Sequence, residues 1–211
     1  MDPNSFRMYM AAASAGLGLP AIGAAYEGGY YAGLISQNAD GVATHALIVC
    51  EKNKEEEKRW KLSPSSTTGT DSTYDGAANT ANMTNFSHPA ALYCATLSTG
   101  GYSDWYLPAL YELEIAYYNL KPTTNNNNTS FGSNSYAVPA RASNYTTSDP
   151  GQTSVSLFQS SSDQSFDTDR YWTSTQDSTT DAYGIRFSDG RQVTNSKTQN
   201  RSVRPFRKVA L

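Results

Sequence analysis

The residue types that most often carry out chemistry are few in this chain of 211 residues. Cys50 ends an apolar run and Cys94 lies inside a predicted helix, a placement typical of small buried thiols. The alternative to two free thiols is a single disulfide bond between Cys50 and Cys94. His45 lies in a strand-like run and His88 at a predicted helix start, and neither has a nucleophile motif beside it. The positions of these side chains favour structural roles over nucleophilic catalysis.

Carboxylate chemistry and cation binding are also weakly indicated. Asp163, Asp167 and Asp169 could supply an acid–base pair, but their spacing favours a solvated loop. The segments DSTTD and DTD bring too few carboxylates together for calcium, which takes six or more oxygen ligands. We therefore predict no catalytic residue, no resident metal and no cofactor.

The charge balance gives no general affinity for polyanions. Charged residues make up 17% of the chain and the net charge is −3. Basic residues cluster only near the C-terminus, where their alternation along a strand favours internal pairing: Arg201, Arg204, Arg207 and Lys208. We therefore predict no nucleic-acid partner. The apolar run near the N-terminus is too short and too interrupted for a membrane span.

The best candidate for a binding surface is a polar hairpin near the C-terminus. The stretch YGIRFSDGRQV alternates apolar and polar residues around Asp-Gly, which predicts a β-hairpin with Tyr183, Ile185 and Phe187 pointing inward. A three-residue loop, which places Val193 beside Phe187, is favoured over a two-residue loop. Asn, Ser, Thr and Gln side chains match the hydroxyls of glycans or the amides of proteins, and basic side chains add bonds to acidic sugars. The candidate ligand-binding residues are Ser178, Thr179, Thr180, Tyr183, Arg186, Arg191, Gln192, Thr194, Asn195, Lys197 and Gln199. The alternative is that they keep an exposed sheet edge soluble.

The elements that must position this hairpin are indicated by local patterns. GGYYAGLI and THALIVCEK predict an opening strand pair, and EKNKEEEKRWKL predicts a solvated connection in which Trp60 is buried. TGTDSTYDGAANT predicts a structured loop. One helix is predicted to start at Pro89 and a second at Pro108. The polar stretch 123–169 contains scattered aromatic residues, which predicts an insertion that packs back on the domain.

Residues 1–27 are predicted to be an attachment segment. The run MDPNSFRMYMAAASAGLGLPAIGAA is mildly apolar and only a weak copy of a secretory signal. A terminus rich in Gly and Ala is ordered only where something ties it down, so we expect it to bind a partner. The candidate assembly-contact residues are Phe6, Met8, Tyr9, Met10, Leu17, Leu19 and Ile22.

Four segments occur in an order that resembles a known family. GGYYAGLI…HALIVC, TGT…DGAANT, CATLSTGGYSDWYLPALYELE and YWTSTQ…AYGIRFSDG…NRSVRPFRKV resemble the DUF1566 (Lcl C-terminal) family, over about Gly28 to Val209. The resemblance implies a C-type lectin-like fold, shared with formylglycine-generating enzymes. Residues 28–211 would then form an α+β domain with two helices, small antiparallel sheets and long irregular loops. We expect its first and last strands to pair and Arg204 to be buried against Asp104.

The polar insertion resembles the phage-borne branch of this family, which is similar to tail-fibre and other virion surface proteins. The resemblance implies a bacteriophage tail-fibre or tail-tip protein, attached to other virion proteins by its N-terminal segment and binding a host surface glycan or protein. It also implies a homo-oligomer, with a trimer as one form. The C-terminal cysteine pair of the oxidase relatives and the calcium–sugar tripeptides of lectins do not occur in the sequence. We therefore expect no enzyme activity. The alternatives are a purely structural virion protein (baseplate, collar or capsid decoration) and a secreted or bacterial surface adhesin.

Overall fold

The computed structural model describes residues 16–211, which form ten strands and three α-helices. The strands are β1 (Ala25–Tyr26), β2 (Gly29–Ile35), β3 (His45–Val49), β4 (Glu56–Arg59), β5 (Ala137–Val138), β6 (Arg170–Gln176), β7 (Asp181–Arg186), β8 (Arg191–Ser196), β9 (Asn200–Val203) and β10 (Phe206–Ala210). The helices are α1 (Gly76–Ala81), α2 (Pro89–Thr96) and α3 (Leu110–Leu120), and short 3-10 helices cover Lys52–Lys54 and Ser156–Phe158. The described chain is thus a mixed α and β protein with few helices.

The first sheet brings the two ends of the domain together. Its strand order is β1-β2-β3-β10, and β5 pairs with β2. Strand β3 is antiparallel to both β2 and β10, so that Tyr30 and Phe206 lie on either side of Val49. The predicted opening strand pair, β2 with β3, is confirmed. The last strand, β10, joins the same sheet but pairs with β3 and not with the first strand, so the expected pairing of the first and last strands is wrong.

The second sheet has the order β4-β9-β6-β7-β8 and carries the candidate hairpin. Its pairs are antiparallel except for β6 and β9, which meet in parallel at Tyr171 and Ser202. The segment expected to be only a solvated connection supplies β4, because its backbone pairs with β9 while most of its charged side chains stay in water. Trp60 is fully buried, as predicted.

The hairpin β7–β8 has a different register from both loop lengths considered. Arg186 lies opposite Arg191, which leaves a four-residue loop, and Val193 lies opposite Gly184. Gly190 has a φ of +73° in this loop, and a Cβ there would lie 2.3 Å from the Tyr117 ring. The favoured three-residue loop is therefore wrong, because close packing of the loop against α3 sets its length.

Three helices form where two were expected. Helix α1 lies in the segment predicted to be a loop, and the Asp75 carboxylate caps it by accepting a hydrogen bond from the Ala78 amide (3.0 Å). Helix α2 begins with Pro89, as predicted. Helix α3 begins two residues after Pro108, where the Glu112 carboxylate accepts hydrogen bonds from the backbone amides of Ala109 and Gly76. Glu112 thereby links the starts of α1 and α3.

Helix α3 lies between the two sheets and is buried on nearly every side. Its apolar residues join the largest core cluster, which also contains Tyr145, Phe158 and Phe166 of the polar insertion. The aromatic residues of the insertion are therefore anchored in the core, as predicted. Within residues 16–211, no helix is long and apolar enough to cross a membrane.

Candidate functional site

The candidate ligand-binding residues differ widely in exposure. Thr179, Thr180, Arg191, Thr194 and Gln199 are exposed. The half-buried members are Ser178, Tyr183, Arg186 and Gln192. Asn195 and Lys197 are buried, at 7% and 0% exposure. The polar character of the sequence therefore marks a surface only in part.

The exposed members of the hairpin lie on two opposite faces of the second sheet. Tyr183 is opposite Thr194 and Ile185 is opposite Gln192, so these side chains share one face. Arg186 and Arg191 pair across the same two strands, on the other face. A single ligand does not reach all of these residues at once.

Lys197 is an internal cation and not a surface contact, which corrects the sequence-based expectation. Its ammonium group donates hydrogen bonds to Gln176 Oε1 (2.6 Å), Ser178 O (2.7 Å), Thr179 O (3.0 Å) and Ser65 O (3.2 Å). Burial, and then the nearby Lys61, lower the pKa of Lys197 to about 8. Asn195 is likewise enclosed, with its Oδ1 accepting from Arg201. Both residues are removed from the candidate surface.

Three arginines lie side by side across β6, β7 and β8. Arg170 is opposite Arg186, and Arg186 is opposite Arg191. Directly opposite residues place their Cβ atoms about 5 Å apart on the same face, so the three side chains form one row, the arginine row. The Asp189 carboxylate holds Arg186 through bonds of 2.9 and 2.5 Å. Within residues 16–211, the guanidinium groups of Arg170 and Arg191 have no hydrogen-bond or ion-pair partner.

Arg204, Arg207 and Lys208 pair with carboxylates within the domain, as predicted, whereas Arg201 bonds only to neutral acceptors. Arg207 forms a two-bond pair with Asp104 (2.8 and 2.9 Å). Arg204 is buried beside Glu55 (3.9 Å) and donates to the carbonyl oxygen of Cys50 (3.0 Å). The expected partnership of Arg204 with Asp104 is therefore wrong, because Arg204 lies between β9 and β10 and Asp104 pairs with Arg207 of β10.

Arg170 was not among the sequence-based candidates. Its position in the arginine row depends on the pairing of β6 with β7, and a single sequence gives no direct signal for that register. Parallel guanidinium groups bind carboxylate, phosphate or sulfate oxygens with charge-assisted bonds. The arginine row is thus suited to an anionic ligand.

A second surface feature lies on the opposite face of the hairpin. Tyr136 stacks on Tyr74 at 4.3 Å and on Tyr111 at 5.6 Å between ring centres. Tyr183 lies beside Tyr111, and a hydrogen bond with Asp177 raises its pKa. All four tyrosines are half-buried, and we call them the tyrosine patch. Partly exposed tyrosines supply contact area with little loss of rotamer entropy, which is typical of recognition surfaces.

The candidate assembly-contact residues fall into two groups. Phe6, Met8, Tyr9 and Met10 lie outside the described residues. Leu17 is 49% exposed. Leu19 belongs to a core cluster beneath the first sheet, and Ile22 packs against the same cluster, so both contact this domain itself. Leu19 is therefore taken up largely by the core of this domain, whereas an assembly contact of the half-buried Ile22 and of Leu17 stays a prediction.

The side chains with catalytic potential are held in unreactive states. Cys50 and Cys94 are free and buried, and burial raises the pKa of Cys50 to about 12 and that of Cys94 well above its usual value. His88 contacts Thr67 (2.8 Å) and Asn85 (2.9 Å), and burial lowers its pKa to about 4. In the described part of the chain, no three or more Cys, His, Asp or Glu side chains are placed to hold a metal ion.

Together, the fold and these surface features define a mixed α/β domain. It has a closely packed core and displays polar residues on its surface. A comparison with family models gives a narrower assignment. The model of the Lcl C-terminal domain matches residues 52–207, and the chain belongs to this family. The match begins after β3, so the opening strand pair lies outside it. No curated protein matches the chain.

Proposed function

We propose that this chain is a bacteriophage virion protein of a tail fibre or tail tip that binds the host cell surface through a C-type lectin-like domain. Binding, and not catalysis, is the task we assign to it. The observation that carries this proposal is the arginine row, in which the side chains of Arg170 and Arg191 form no hydrogen bond or close ion pair within the described residues. The unreactive thiols and the enclosed His88 support the same choice.

The arginine row places like charges beside one another in the isolated domain, and the one carboxylate of Asp189 serves both Arg186 and Arg191. Like charges that lie directly opposite each other on a sheet repel, and this chain is acidic overall, at a net charge of −3. An anionic ligand removes that repulsion and forms charge-assisted bonds. We therefore assign to the arginine row a host ligand that carries carboxylate, phosphate or sulfate groups, such as an acidic surface glycan.

The virion location is supported by the sequence. The polar insertion resembles that of phage-borne members of the family, and this resemblance is the ground for the placement. In this proposal the N-terminal segment attaches the domain to other virion proteins, and the domain acts as a homo-oligomer. Detection of the chain in purified phage particles tests this part. Its presence on the bacterial surface without particles supports the adhesin alternative instead.

The binding part is tested with full-length protein and host cells. The double variant Arg170→Gln/Arg191→Gln is expected to lose at least about tenfold in cell binding, and the remaining binding should depend less on salt. Arg59→Gln is the matched control, since Arg59 is exposed and has no side-chain ion pair within residues 16–211. Undiminished binding of the double variant would overturn the assignment of the arginine row.

A structural virion role is the second candidate, and one observation favours it. Phe86 is 88% exposed and Leu62 is 51% exposed. The two residues lie on neighbouring segments, because the Leu62 amide donates to the carbonyl oxygen of Ser87 (2.9 Å). Adjacent exposed apolar side chains are common at protein contacts. If Phe86→Ser prevents incorporation into particles while the arginine variants bind host cells normally, the structural role is favoured.

A further inference from the structure

A cavity of about 620 Å³ opens at the end of the polar insertion. Its wall is rich in hydroxyl and carboxylate groups, from Ser160, Ser161, Ser162, Asp163, Asp167 and Thr168. Ser165, Lys52 and Phe166 complete the lining. None of these residues belongs to the arginine row or to the tyrosine patch. We call this site the serine cavity.

The floor of the serine cavity is rigid. Phe166 is 2% exposed and stacks on Phe187 with 4.1 Å between ring centres. The guanidinium carbon of Arg204 lies over the ring of Phe166, 4.5 Å from the ring centre. The Lys52 ammonium group ties one side of the wall in place through Ser165 O (2.8 Å) and Asp167 Oδ1 (2.6 Å). The site is therefore preorganised, and little conformational entropy of the protein would be lost when a ligand binds.

A buried carboxylate, Glu55, interacts electrostatically with two residues of the cavity wall, Asp167 and Lys52. Glu55 Oε1 accepts a hydrogen bond from the Tyr171 hydroxyl (2.8 Å), whereas Oε2 has no hydrogen-bond donor among the described residues and lies 3.9 Å from the guanidinium group of Arg204. The Glu55 side chain is 10% exposed. Burial raises its pKa, and the wall residues Asp167 and Lys52 lie close enough to act on it as well. Glu55 thus adds a buried carboxylate, paired with Arg204 and Tyr171, to the surroundings of the wall residues Asp167 and Lys52.

We propose that the serine cavity binds a neutral saccharide. Serine hydroxyls both donate and accept hydrogen bonds, and the carboxylates of Asp163 and Asp167 accept them, which matches the vicinal hydroxyl groups of a sugar ring. The volume lies within the range of small-molecule sites. Lys52 is already paired with Asp167, so the wall presents no free positive charge and disfavours acidic sugars.

This site is chemically distinct from the arginine row and does not depend on it. The arginine row selects anionic groups, whereas the serine cavity selects uncharged hydroxyl groups. It also gives the polar insertion a role of its own, because all seven hydroxyl- and carboxylate-bearing lining residues fall within 160–168.

Saturation-transfer NMR with the full chain tests the inference directly. The probes are the neutral disaccharides maltose, lactose and diacetylchitobiose, with glucuronic acid as the acidic comparison. Asp163→Asn is the main variant, since Asp163 is exposed and its carboxylate has no partner within residues 16–211. We expect transfer to at least one neutral disaccharide, with an affinity lowered roughly tenfold in Asp163→Asn, as the loss of a charge-assisted bond implies. Ser162→Ala is expected to weaken the same signal.

Asp71→Asn is the matched control, because it removes one exposed carboxylate outside the serine cavity and should leave the signal unchanged. Arg170→Gln/Arg191→Gln should also leave it unchanged, which separates this site from the host-binding proposal. The inference is overturned if no neutral disaccharide receives transfer, or if Asp163→Asn and Asp71→Asn behave alike. Binding that requires added calcium and disappears with a chelator would mean that the cavity holds a cation instead.

Discussion

The ammonium nitrogen of Lys197 lies 4.8 Å from the centre of the Trp60 ring. Lysine and tryptophan in this arrangement attract each other through the cation–π interaction. The same ammonium group collects acceptors from the loops on either side of it, namely Ser65 O, Gln176 Oε1, Ser178 O and Thr179 O. One buried cation thus fixes the two polar loops that border the candidate hairpin.

Replacing this cation should destabilise the domain. We expect Lys197→Met to lower the free energy of unfolding by about 2–4 kcal/mol, because buried acceptors lose their donor while the apolar stem is retained. Urea unfolding measures the change. Lys54→Met is the control, since the Lys54 side chain is half-buried at the surface and has no hydrogen bond in the described chain. A similar loss in both variants would contradict the role of Lys197.

The stability of the domain should fall on acidification through His88. Burial, and then Lys61, lower the pKa of the folded-state imidazole from 6.5 to about 4. As the pH falls below 6.5, the unfolded chain takes up a proton that the folded chain still excludes, so stability is lost between about pH 6.5 and pH 4. The side chain is 3% exposed, and the loss approaches about 3 kcal/mol near the lower limit.

Urea unfolding from pH 7 to pH 4 checks this expectation in the unmodified chain and in His88→Gln. The variant should be less stable at neutral pH, since it disturbs the contacts with Thr67 and Asn85. Its stability should nevertheless depend less on pH, because glutamine does not titrate. Two parallel stability curves would show that His88 is not the responsible group.

Local patterns were sufficient for several elements of the fold. The opening strand pair, the start of α2 at Pro89 and the burial of Trp60 follow from residue order alone. Helix α1 was missed because its residues are small or polar, and because part of its anchoring comes from the distant Glu112. Strand β4 was missed because its residues are all charged and show no strand-like alternation, although its backbone pairs with β9.

The candidate site was harder to predict than the fold. Lys197 lies in TNSKTQN, a stretch without an apolar residue, and only the crossing of distant loops buries it. Arg170 joins the arginine row through strand register, which sequence alternation does not determine between separate strands. Thus polar composition located the hairpin, but tertiary contacts decided which of its side chains face outward.

Glu114 should control the order of the polar insertion. Its buried carboxylate accepts hydrogen bonds from Asn134 Nδ2 (2.6 Å), from Arg141 and from the Tyr145 hydroxyl. Removing the charge leaves Arg141 without its buried counter-ion, so Glu114→Gln should lower the free energy of unfolding by about 3 kcal/mol. Amide exchange should also become faster over 134–145 than over the sheets.

Hydrogen-exchange mass spectrometry measures both regions in one experiment. Glu57→Gln is the control, since Glu57 is exposed on β4 and its carboxylate has no ion pair within residues 16–211. It should leave exchange over 134–145 unchanged. Uniform acceleration across the whole chain in Glu114→Gln would indicate a general loss of stability and not a local anchor.

The arginine row should cost stability in the absence of ligand. Arg170 and Arg186 lie directly opposite each other, and a like-charge pair in this position is unfavourable. Arg170→Gln should therefore raise the free energy of unfolding by roughly 0.3–1 kcal/mol at low salt, with a smaller gain at high salt because ions screen the repulsion. Arg207→Gln should do the opposite, since it breaks the pair with Asp104. Urea unfolding of both variants at two salt concentrations measures these changes. A loss of stability in Arg170→Gln would contradict the prediction, because it would mean that Arg170 makes a stabilising contact within the domain.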